Sequence, residues 1–309
     1  MKPKVIGIGE LLWDHLPTGP RMGGAPANFT CHTRALGAQS TVISRVGTGE
    51  WGDALLARLS ELGVGTEGVS RDPEHPTGRV DVELAADGQP KFTILRGMAW
   101  DHLEATETML ELVSSADAVC FGTLGQRSLS SRSAIRQLVA STPAHALRVF
   151  DVNLREDYYS AEVLDESLRI ANVCKLSDAE LPIVSKLLGL DGASGDRLEE
   201  LRARYQLRLV AYTRGAEGSV LAGDGCASVH PGLPTRVRDT IGAGDSFTAA
   251  VTMGMLHGWS LDEISETANE TAAFVCSHEG AVPMLPASIR RRFDPPLPRP
   301  AASAESSLS

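Results

Sequence analysis

The chain carries Asp239-Thr240-Ile241-Gly242-Ala243-Gly244-Asp245 between a turn-rich run and an apolar run with helical periodicity. Glycines at the mouth of a helix let the backbone approach a ligand closely, and the N–H groups of the first turn lack intrahelical acceptors. Together with the helix dipole, these groups form an anion site for a phosphate or a developing oxyanion. The carboxylate of Asp245 could cap the helix or take a proton during phosphoryl transfer to a hydroxyl. Capping alone does not require Gly-Ala-Gly, so the pattern favours catalysis.

Size and composition agree with an α/β protein. The chain has 309 residues and a mass of 32.8 kDa, which suits one large α/β domain or two smaller ones. The formal net charge of −10 disfavours nucleic acid as a partner, because affinity for its backbone comes from clustered Lys and Arg.

Cellular context is predicted from apolar runs and cysteines. No apolar run approaches the length that crosses a bilayer, and Met1-Lys2-Pro3-Lys4 leads directly into a short apolar strand, so neither a membrane partner nor a secretory signal is expected. The five cysteines are scattered and form no Cys-x-x-Cys pair. They predict free, buried thiols in a reducing cytoplasm.

Short apolar runs alternate with amphipathic stretches through most of the length. The predicted buried strands are Val5–Ile8, Thr41–Ile43, Ala118–Phe121, Arg148–Val152, Val173–Leu176 and Leu207–Tyr212. The predicted helices are Pro26–Leu36, Trp51–Leu62, Leu103–Ser114, Ser131–Ala140, Ala161–Ile170 and Arg197–Tyr205. This alternation predicts a mainly parallel sheet with helices on both faces.

Two extended pieces interrupt this alternation. Gly78–Ala86 and Pro90–Leu95 flank Asp87-Gly88, a strong hairpin signal. With the extended run Leu11–Leu16 they could form a small antiparallel sheet in the position of a lid, or an extra hairpin without a gating role. Its alternating apolar residues could cover a pocket or pair with a second lid.

A second glycine-rich element, Gly23-Gly24-Ala25-Pro26-Ala27-Asn28, opens the first helix. Small residues leave room for a polar ligand, and an asparagine side chain both donates and accepts hydrogen bonds, as sugar hydroxyls require. Asp14 on the outer run supplies a further acceptor. Taken singly, either residue is more often part of a turn or a cap than of a sugar site.

Both glycine-rich elements, in this order, resemble the signatures of the ribokinase (PfkB) family of carbohydrate kinases. The likeness runs from about Val5 to Pro286. It includes Val46-Gly47 with Gly52-Asp53, Thr213-x-Gly215-x-x-Gly218, Asp151-Val152-Asn153-Leu154-Arg155, and Asn269 with Gly280-Ala281. Fructokinase-like members are the most similar, because they share Gly-Glu-Leu-Leu near the N-terminus and Asp-x-Asn-Leu-Arg.

The resemblance implies a ribokinase-like three-layer α/β fold over residues 1–293, with a small β-sheet lid from segments near 11–22 and 77–97. Residues 294–309 are rich in Pro, Ala and Ser and are expected to form a disordered tail. Some relatives dimerise through their lids, so a homodimer is a further expectation.

The resemblance also implies roles for residues at matching positions. Asp245 would be the catalytic base, and Gly242, Ala243 and Gly244 would form the anion hole. The residues expected to bind the sugar are Asp14, Gly24, Asn28, Arg96 and Asn153. Those expected along the nucleotide are Ser177, Glu180, Thr213, Gly215, Gly218, Gly244 and Asn269. Arg96 ends the lid segment and could instead be a solvated surface charge.

The implied cofactors are ATP, Mg²⁺ and, as in many members, K⁺. The family's Asn-x-x-Glu motif, tied to magnesium, appears here as Ser177-Asp178-Ala179-Glu180, so Glu180 is the expected magnesium residue. A monovalent cation would lie between the loops Asp239–Ile241 and Cys276–Ala281, with Asp239 and the carbonyl of Ile241 as ligands.

The sequence therefore predicts a cytoplasmic, ATP-dependent kinase that phosphorylates a primary hydroxyl of a small sugar, with fructose as the leading substrate. A 2-keto-3-deoxy sugar acid, ribose or a nucleoside are alternatives within the family. A sugar acid would favour Arg96 in the pocket, and a nucleoside would favour Trp13 or Trp100 there. A catalytically silent sugar-binding or interaction protein on the same scaffold is the alternative from another class.

Overall fold

The computed structural model describes residues 1–16, 18–84 and 90–294. Within them the strands are β1 Lys4–Ile8, β2 Leu12–Leu16, β3 Gly19–Gly23, β4 Gln39–Gly47, β5 Gly65–Asp72, β6 Gly78–Leu84, β7 Pro90–Ile94, β8 Ala118–Gly122, β9 Leu147–Asp151, β10 Val173–Ser177, β11 Leu209–Thr213, β12 Ser219–Gly223 and β13 Cys226–His230. The α-helices are α1 Ala25–Ala35, α2 Glu50–Glu61, α3 Glu107–Ser114, α4 Leu129–Ala140, α5 Ala161–Ile170, α6 Leu181–Leu188, α7 Ser194–Arg204, α8 Ala243–Leu256, α9 Leu261–Cys276 and α10 Ala287–Arg290.

The main sheet has nine strands in the order β13-β12-β11-β10-β9-β8-β1-β4-β5. Seven neighbouring strands pair in parallel, namely β5, β4, β1, β8, β9, β10 and β11. Strands β12 and β13 continue the sheet as antiparallel neighbours. Parallel strands need crossover helices that cover both faces, and their central strands are correspondingly apolar. The predicted parallel α/β fold is confirmed.

Helices cover the sheet on both faces. One core cluster joins the sheet to α1, α8 and α9 through side chains such as Phe29, Phe247 and Ile264. The other joins it to α3–α7 through side chains such as Met109, Ile135 and Leu164. The two clusters make a three-layer α/β/α arrangement, as expected for this alternation of elements.

A separate four-stranded sheet, in the order β3-β2-β6-β7, lies beside the main one. The register places Leu12 opposite Gly78 in a parallel pair, and Leu12 opposite Gly23 in an antiparallel pair. The small sheet is therefore mixed, not purely antiparallel as the sequence pattern predicted, because β2 pairs in parallel with β6. The Asp87-Gly88 turn lies outside the described residues, as does the predicted tail from residue 295 onward.

The small sheet has its own apolar cluster. Val80 is 5% exposed and packs with Leu12, Ile94 and Trp100. One side of the sheet is thus already covered by the rest of the chain. The side chains of Val82 and Leu84 lie outside the described residues.

Several elements differ from the predicted ones. Helix α3 begins at Glu107, where Thr106 caps it by accepting the N–H of Met109, and not at Leu103. Strand β4 spans nine residues where three were predicted, because polar Gln39, Ser40 and Arg45 interrupt its apolar pattern. Strand β5 was not predicted, since at the sheet edge it is only partly buried and carries a mostly polar sequence.

The cysteine prediction was right for three positions and wrong for two. All five cysteines are free, and Cys31, Cys120 and Cys174 are buried. Cys226 is exposed because it lies on the edge strand β13, and Cys276 is partly exposed at the end of α9. In the part of the chain that the structure describes, no helix combines the length and apolarity needed to span a bilayer.

Candidate active site

The candidate site lies at the carboxyl edge of the main sheet. Strand β1 is flanked by β4 on one side and β8 on the other, so the chain order changes direction there. In open α/β sheets such a switch point leaves a crevice outside the carboxyl ends of the strands. A small cleft at this edge is lined by Ala25, Pro26, Phe29, Cys120, Phe121, Gly122, Asp151, Asn153 and Asp245.

Gly242 shapes the mouth of α8. It is the N-cap residue, with φ of 78°, a left-handed conformation that favours glycine. A Cβ atom there would lie 2.4 Å from the carbonyl oxygen of Ala281. The N–H groups that follow, at Gly244 and Asp245, belong to the first turn and have no intrahelical acceptor. The geometry therefore provides the amide-rich helix mouth that the sequence predicts.

Asp245 is held by a residue from the other glycine-rich element. Asn28 Nδ2 donates to Asp245 Oδ2 across 2.9 Å. Helix α1, which carries Asn28, packs directly against α8. The other amide atom, Asn28 Oδ1, is buried without a hydrogen-bond partner among the described residues. A hydroxyl donor from a ligand would satisfy it.

The environment of Asp245 weakens its acidity. The pKa of Asp245 is raised to about 6, mainly by burial and also by the nearby carboxylate of Asp151. The hydrogen bond from Asn28 and the charges of Lys175 and Arg155 oppose this increase. A carboxylate with a pKa near the working pH is suited to general base catalysis.

Asp151 and Lys175 form a buried ion pair below the mouth of α8. Lys175 Nζ lies 3.1 Å from Asp151 Oδ1, and the residues are 7% and 5% exposed. Sequence reasoning did not single out Lys175. The signal was a lone cation inside the apolar run Val173–Leu176, where a buried charge is rare unless paired.

Glu10 is a second residue that sequence reasoning missed. It follows β1 directly, is 3% exposed, and its Oε1 accepts the N–H of Ala25 across 3.2 Å. Burial raises the pKa of Glu10 to about 7. Its place after a buried strand was the available signal, because the carboxyl ends of parallel strands form the site edge.

The Gly23-Gly24 pair is explained by close packing. A Cβ on Gly24, where φ is 107°, would lie 2.4 Å from the carbonyl oxygen of Glu10. A Cβ on Gly23 would lie 2.3 Å from Asp14 Oδ2. Burial raises the pKa of Asp14 to about 6, against the opposing charge of Arg155. Arg155 also acts on Asp245, so Asp14 and Asp245 lie near the same cation.

Asn153 follows β9 and lines the same cleft. Its φ of 42° is left-handed, a conformation that asparagine tolerates better than most residues. The loop is held by Thr123, whose hydroxyl donates to the carbonyl oxygen of Val152 across 2.8 Å.

The residues expected along the nucleotide follow β10 and β11. Glu180 Oε2 accepts both the N–H and the hydroxyl of Ser177, at 2.7 and 2.9 Å, and Oε1 accepts the N–H of Leu154 at 2.8 Å. The Glu180 carboxylate thus joins the ends of two strands. Thr213 ends β11, and the turn after it uses left-handed glycines at 215 and 218, with φ of 54° and 80°.

Asn269 lies inside the contact between α9 and β12, beside Ser219, which pairs with Thr213 at the end of β11. Its Nδ2 donates to Ser219 Oγ across 2.8 Å and to the carbonyl oxygen of Ser265 across 2.7 Å. Both amide hydrogens are therefore used by the protein, and a nucleotide contact is left to the amide oxygen.

The two loops expected around a monovalent cation are adjacent. Asp239 Oδ1 accepts the N–H of Ile241 and Oδ2 accepts the N–H of Gly280, each at 3.0 Å. The N–H of Arg238 also donates to the carbonyl oxygen of Cys276 across 2.8 Å. Within the described ranges, no three His, Cys, Asp or Glu side chains cluster as they would around a metal ion. Backbone carbonyls would have to supply most ligands.

Arg96 lies at the outer edge of the small sheet. Its side chain is 71% exposed, with Asp157 at 3.5 Å, and its guanidinium lies over the ring of Tyr158. Trp100 is 1% exposed and is covered by Arg127, whose guanidinium carbon lies 4.0 Å from a ring centroid. Trp13 packs edge-on against Trp51. Because Arg127 covers its ring, Trp100 offers no free face on which the nucleobase of a nucleoside could stack.

Comparisons with known proteins agree with the geometry. Residues 18–288 match the model of the pfkB family carbohydrate kinases. A sugar kinase of Pyrococcus horikoshii is 30% identical over 297 residues, covering 90% of this chain and 91% of the relative. The fructokinase of Escherichia coli is 31% identical over 304 residues, covering 93% and 97%. The solved structure of the Pyrococcus enzyme in complex with ATP superposes with a TM-score of 0.77 at 29% identity, covering 90% of this chain and 94% of that one.

Proposed function

The chain belongs to the pfkB family of carbohydrate kinases, and on this premise we propose that it is a fructokinase-like enzyme. It transfers the γ-phosphoryl group of ATP to a primary hydroxyl of a small sugar, with fructose as the leading candidate. The observation that carries the proposal is the hydrogen bond between Asn28 and Asp245. It places an amide that can bind sugar hydroxyls beside a carboxylate that can act as a base at the mouth of α8. The similarity to the Escherichia coli fructokinase supports the choice of sugar.

Asp245 accepts the proton of the attacking hydroxyl. The N–H groups of the first turn of α8 face the transferring phosphoryl group and stabilise its charge. Such transfer asks the protein mainly for positioning and electrostatic stabilisation. Asn28 and Asp14 hold the neighbouring hydroxyls, and Gly24 and Asn153 shape the loops that border them.

The nucleotide lies on the side of β10 and β11, along Thr213, Gly215 and Gly218. The ATP complex of the Pyrococcus relative supports this partner. A Mg²⁺ ion keeps several waters and usually takes one or two carboxylates with substrate phosphates. Because both oxygens of Glu180 already accept protein hydrogen bonds, Glu180 would hold the ion through water. Bound Mg²⁺ neutralises phosphate charge.

The cation loops fit a monovalent ion through backbone oxygens. Asp239 supplies a negative charge between two loops that it holds together. K⁺ is the expected ion, and it would stabilise the conformation of the anion hole. The small sheet β3-β2-β6-β7 serves as the lid that excludes water, since ATP in an open site would be hydrolysed.

Three alternatives are less favoured by specific observations. The contact that a sugar acid was expected to make with Arg96 is disfavoured, because Arg96 is largely exposed on Tyr158. A nucleoside needs an aromatic platform, yet Trp100 is buried beneath Arg127. A silent scaffold is disfavoured because the base and the anion-hole glycines are all present.

A coupled ADP-release screen tests the proposal. The substrates are fructose, ribose, 2-keto-3-deoxygluconate, glucose and several nucleosides, each with and without K⁺, and Asp245→Asn is the control. We expect the highest kcat/KM with fructose. ADP release that no sugar or nucleoside stimulates above the Asp245→Asn background would refute the kinase assignment. A higher kcat/KM for another acceptor would refute only the choice of sugar.

A further inference from the structure

The ion pair of Asp151 and Lys175 is attached to the catalytic turn of α8. Thr248 Oγ1 lies 2.8 Å from Asp151 Oδ2 and 2.9 Å from the carbonyl oxygen of Gly244. A Cβ on Gly244 would lie 3.0 Å from Lys175 Nζ. The pair therefore contacts α8 at the turn that carries the expected base and anion hole.

Stability alone is a poor explanation for this pair. Removing two charges from water costs free energy that their attraction often fails to recover, and apolar replacements of buried pairs are frequently neutral or stabilising. The neighbours of Lys175 on the strand, Cys174 and Leu176, are fully buried in the apolar cluster on the other face of the sheet. A pair retained at such a position, in contact with a catalytic turn, points to a role in the site.

We propose that Asp151 and Lys175 act as a positioning pair, in which Lys175 places its ammonium beside Gly244, next to Asp245, and Asp151 holds Lys175 against the first turn of α8. The role deepens the proposed function and rests on it. The two members have opposite effects on the base: the ammonium favours the carboxylate of Asp245, whereas the Asp151 carboxylate opposes it.

Other groups also act on Asp245, and the substitutions leave each of them in place. Arg155 favours its ionised form, and Asn28 donates a hydrogen bond to it. The carboxylates of Glu10, after β1, and Asp245 repel each other. The Cys120 thiol on β8 is buried, and its pKa is raised well above its usual range, so it stays neutral. Glu180 acts mainly on the pair itself.

Each member of the pair stabilises the charged form of the other. Burial opposes the charged form of Lys175, but the carboxylates of Asp151 and Glu180 outweigh it and raise the pKa of Lys175. Burial raises the pKa of Asp151, and Lys175 opposes that increase. Replacing either member by a neutral residue therefore changes the field at Asp245 in a known direction.

The experiment measures kcat/KM against pH in Lys175→Met, Asp151→Asn and the double variant. The quantity compared is the acid limb, defined as the pH at which kcat/KM falls to half of its plateau on the acid side. A charge within a few ångströms moves a carboxyl pKa by about one pH unit or more. We expect the limb to rise by about one pH unit in Lys175→Met and to fall by about one in Asp151→Asn. In the double variant it should return close to the wild-type position, with kcat at least about tenfold lower because the turn is less well placed.

Two controls separate charge from damage. Lys186→Met removes an exposed lysine on α6 and should leave the limb unchanged, and Lys175→Arg should keep the limb near the wild-type position.

A merely structural role would slow the single variants without moving their limbs in opposite directions. Equal limbs, or shifts of the same sign, would overturn the proposal. If a single variant does not fold, the neutral double variant still tests it, because wild-type kcat there would overturn it.

A readout independent of turnover distinguishes this inference from the proposed function. The carboxyl ¹³C resonance of Asp245, assigned by its loss in Asp245→Asn, is titrated by NMR in each variant. The same opposite shifts are expected there even if no tested sugar is phosphorylated. An active kinase whose Asp245 titrates identically in all variants would refute the pair's role and leave the kinase assignment intact.

Discussion

Asn28 and Asp245 lie 217 positions apart in sequence, and the amide of the first donates to the carboxylate of the second across 2.9 Å. Each residue lies in the first turn of a helix that follows a glycine, and the two helices pack side by side. The contact therefore unites the two glycine-rich elements of the chain into one site.

Asp245→Asn removes the base and keeps the shape of the side chain. A positioned base typically contributes about 10²–10⁴-fold in rate, so kcat should fall by that range while the affinity for sugar is retained. Steady-state kinetics and equilibrium binding of fructose measure the two effects. Near-wild-type turnover in the purified variant would show that another group accepts the proton.

Asn28→Ala removes a donor to Asp245 and an amide oxygen available to a ligand. We expect KM for the sugar to rise by about tenfold or more, since a lost hydrogen bond to a charged or buried partner is worth about 1.5–3 kcal/mol. The KM for ATP should stay unchanged.

Asn172→Ala is the matched control, because Asn172 makes two structural hydrogen bonds, to Arg148 and Ala146, at the other end of the strands. It should lower thermal stability without changing either KM. If Asn28→Ala behaved in the same way, Asn28 would be a structural residue only.

Gly244→Val places a branched side chain at the helix mouth, where even a Cβ lies 3.0 Å from Lys175 Nζ. The side chain would occupy the space of the phosphoryl group, and we expect kcat to fall as far as in Asp245→Asn. A Gly244→Val enzyme with normal ATP turnover would contradict the anion-hole assignment.

The control is Gly195→Ala in α7, where an added Cβ meets open space. Replacing a helical glycine by alanine stabilises by about 0.5–1 kcal/mol. Thermal unfolding should therefore shift upward in this variant while kcat stays unchanged.

The pH dependence of kcat/KM should show an acid limb near pH 6. Asp245 acts as a base only when ionised, and its pKa is raised to about 6, mainly by burial. The rate should be constant above this pH and fall tenfold for each pH unit below it. A limb near pH 4, the ordinary range for an aspartate, would mean that the carboxylate is solvated in the working enzyme.

Glu10→Gln should stabilise the protein in alkaline solution. The pKa of Glu10 is raised from 4.5 to about 7, mainly by burial. A carboxyl that binds its proton more tightly in the folded state contributes stability that is complete below about pH 4.5 and is lost as the pH rises through about 7. The loss corresponds to roughly 3 kcal/mol.

The glutamine variant cannot ionise and can still accept the N–H of Ala25. Denaturant unfolding should therefore show a gain of up to about 3 kcal/mol at pH 8.5 and little change at pH 4.5. The control Glu199→Gln, at an exposed ion pair on α7, should change stability little at either pH. A Glu10→Gln variant that is less stable at both pH values would show that Glu10 is ionised and paired.

Local patterns were enough for most of the scaffold. Helix α5, Ala161–Ile170, has the predicted bounds, because its amphipathic pattern and the cap at Ser160 act within one or two turns. Strands β12 and β13 were missed. Both bury polar residues such as Ser219, Ser228 and His230, and β13 exposes Ala227 and Val229, so their sequences lack the apolar pattern of a buried strand. Edge strands carry a weak apolar signal because only part of their surface is buried.

The sequence alone determined the fold class, the two glycine-rich helix starts and the family, because helix capping, glycine conformations and apolar periodicity are properties of neighbouring residues. Only the tertiary structure decided which charges face Asp245. Lys175 and Asp151 are 24 positions apart, and Glu10 lies more than two hundred before the base. Their effect on its proton depends on distance and burial, which a parallel sheet sets by bringing the ends of separate strands to one edge.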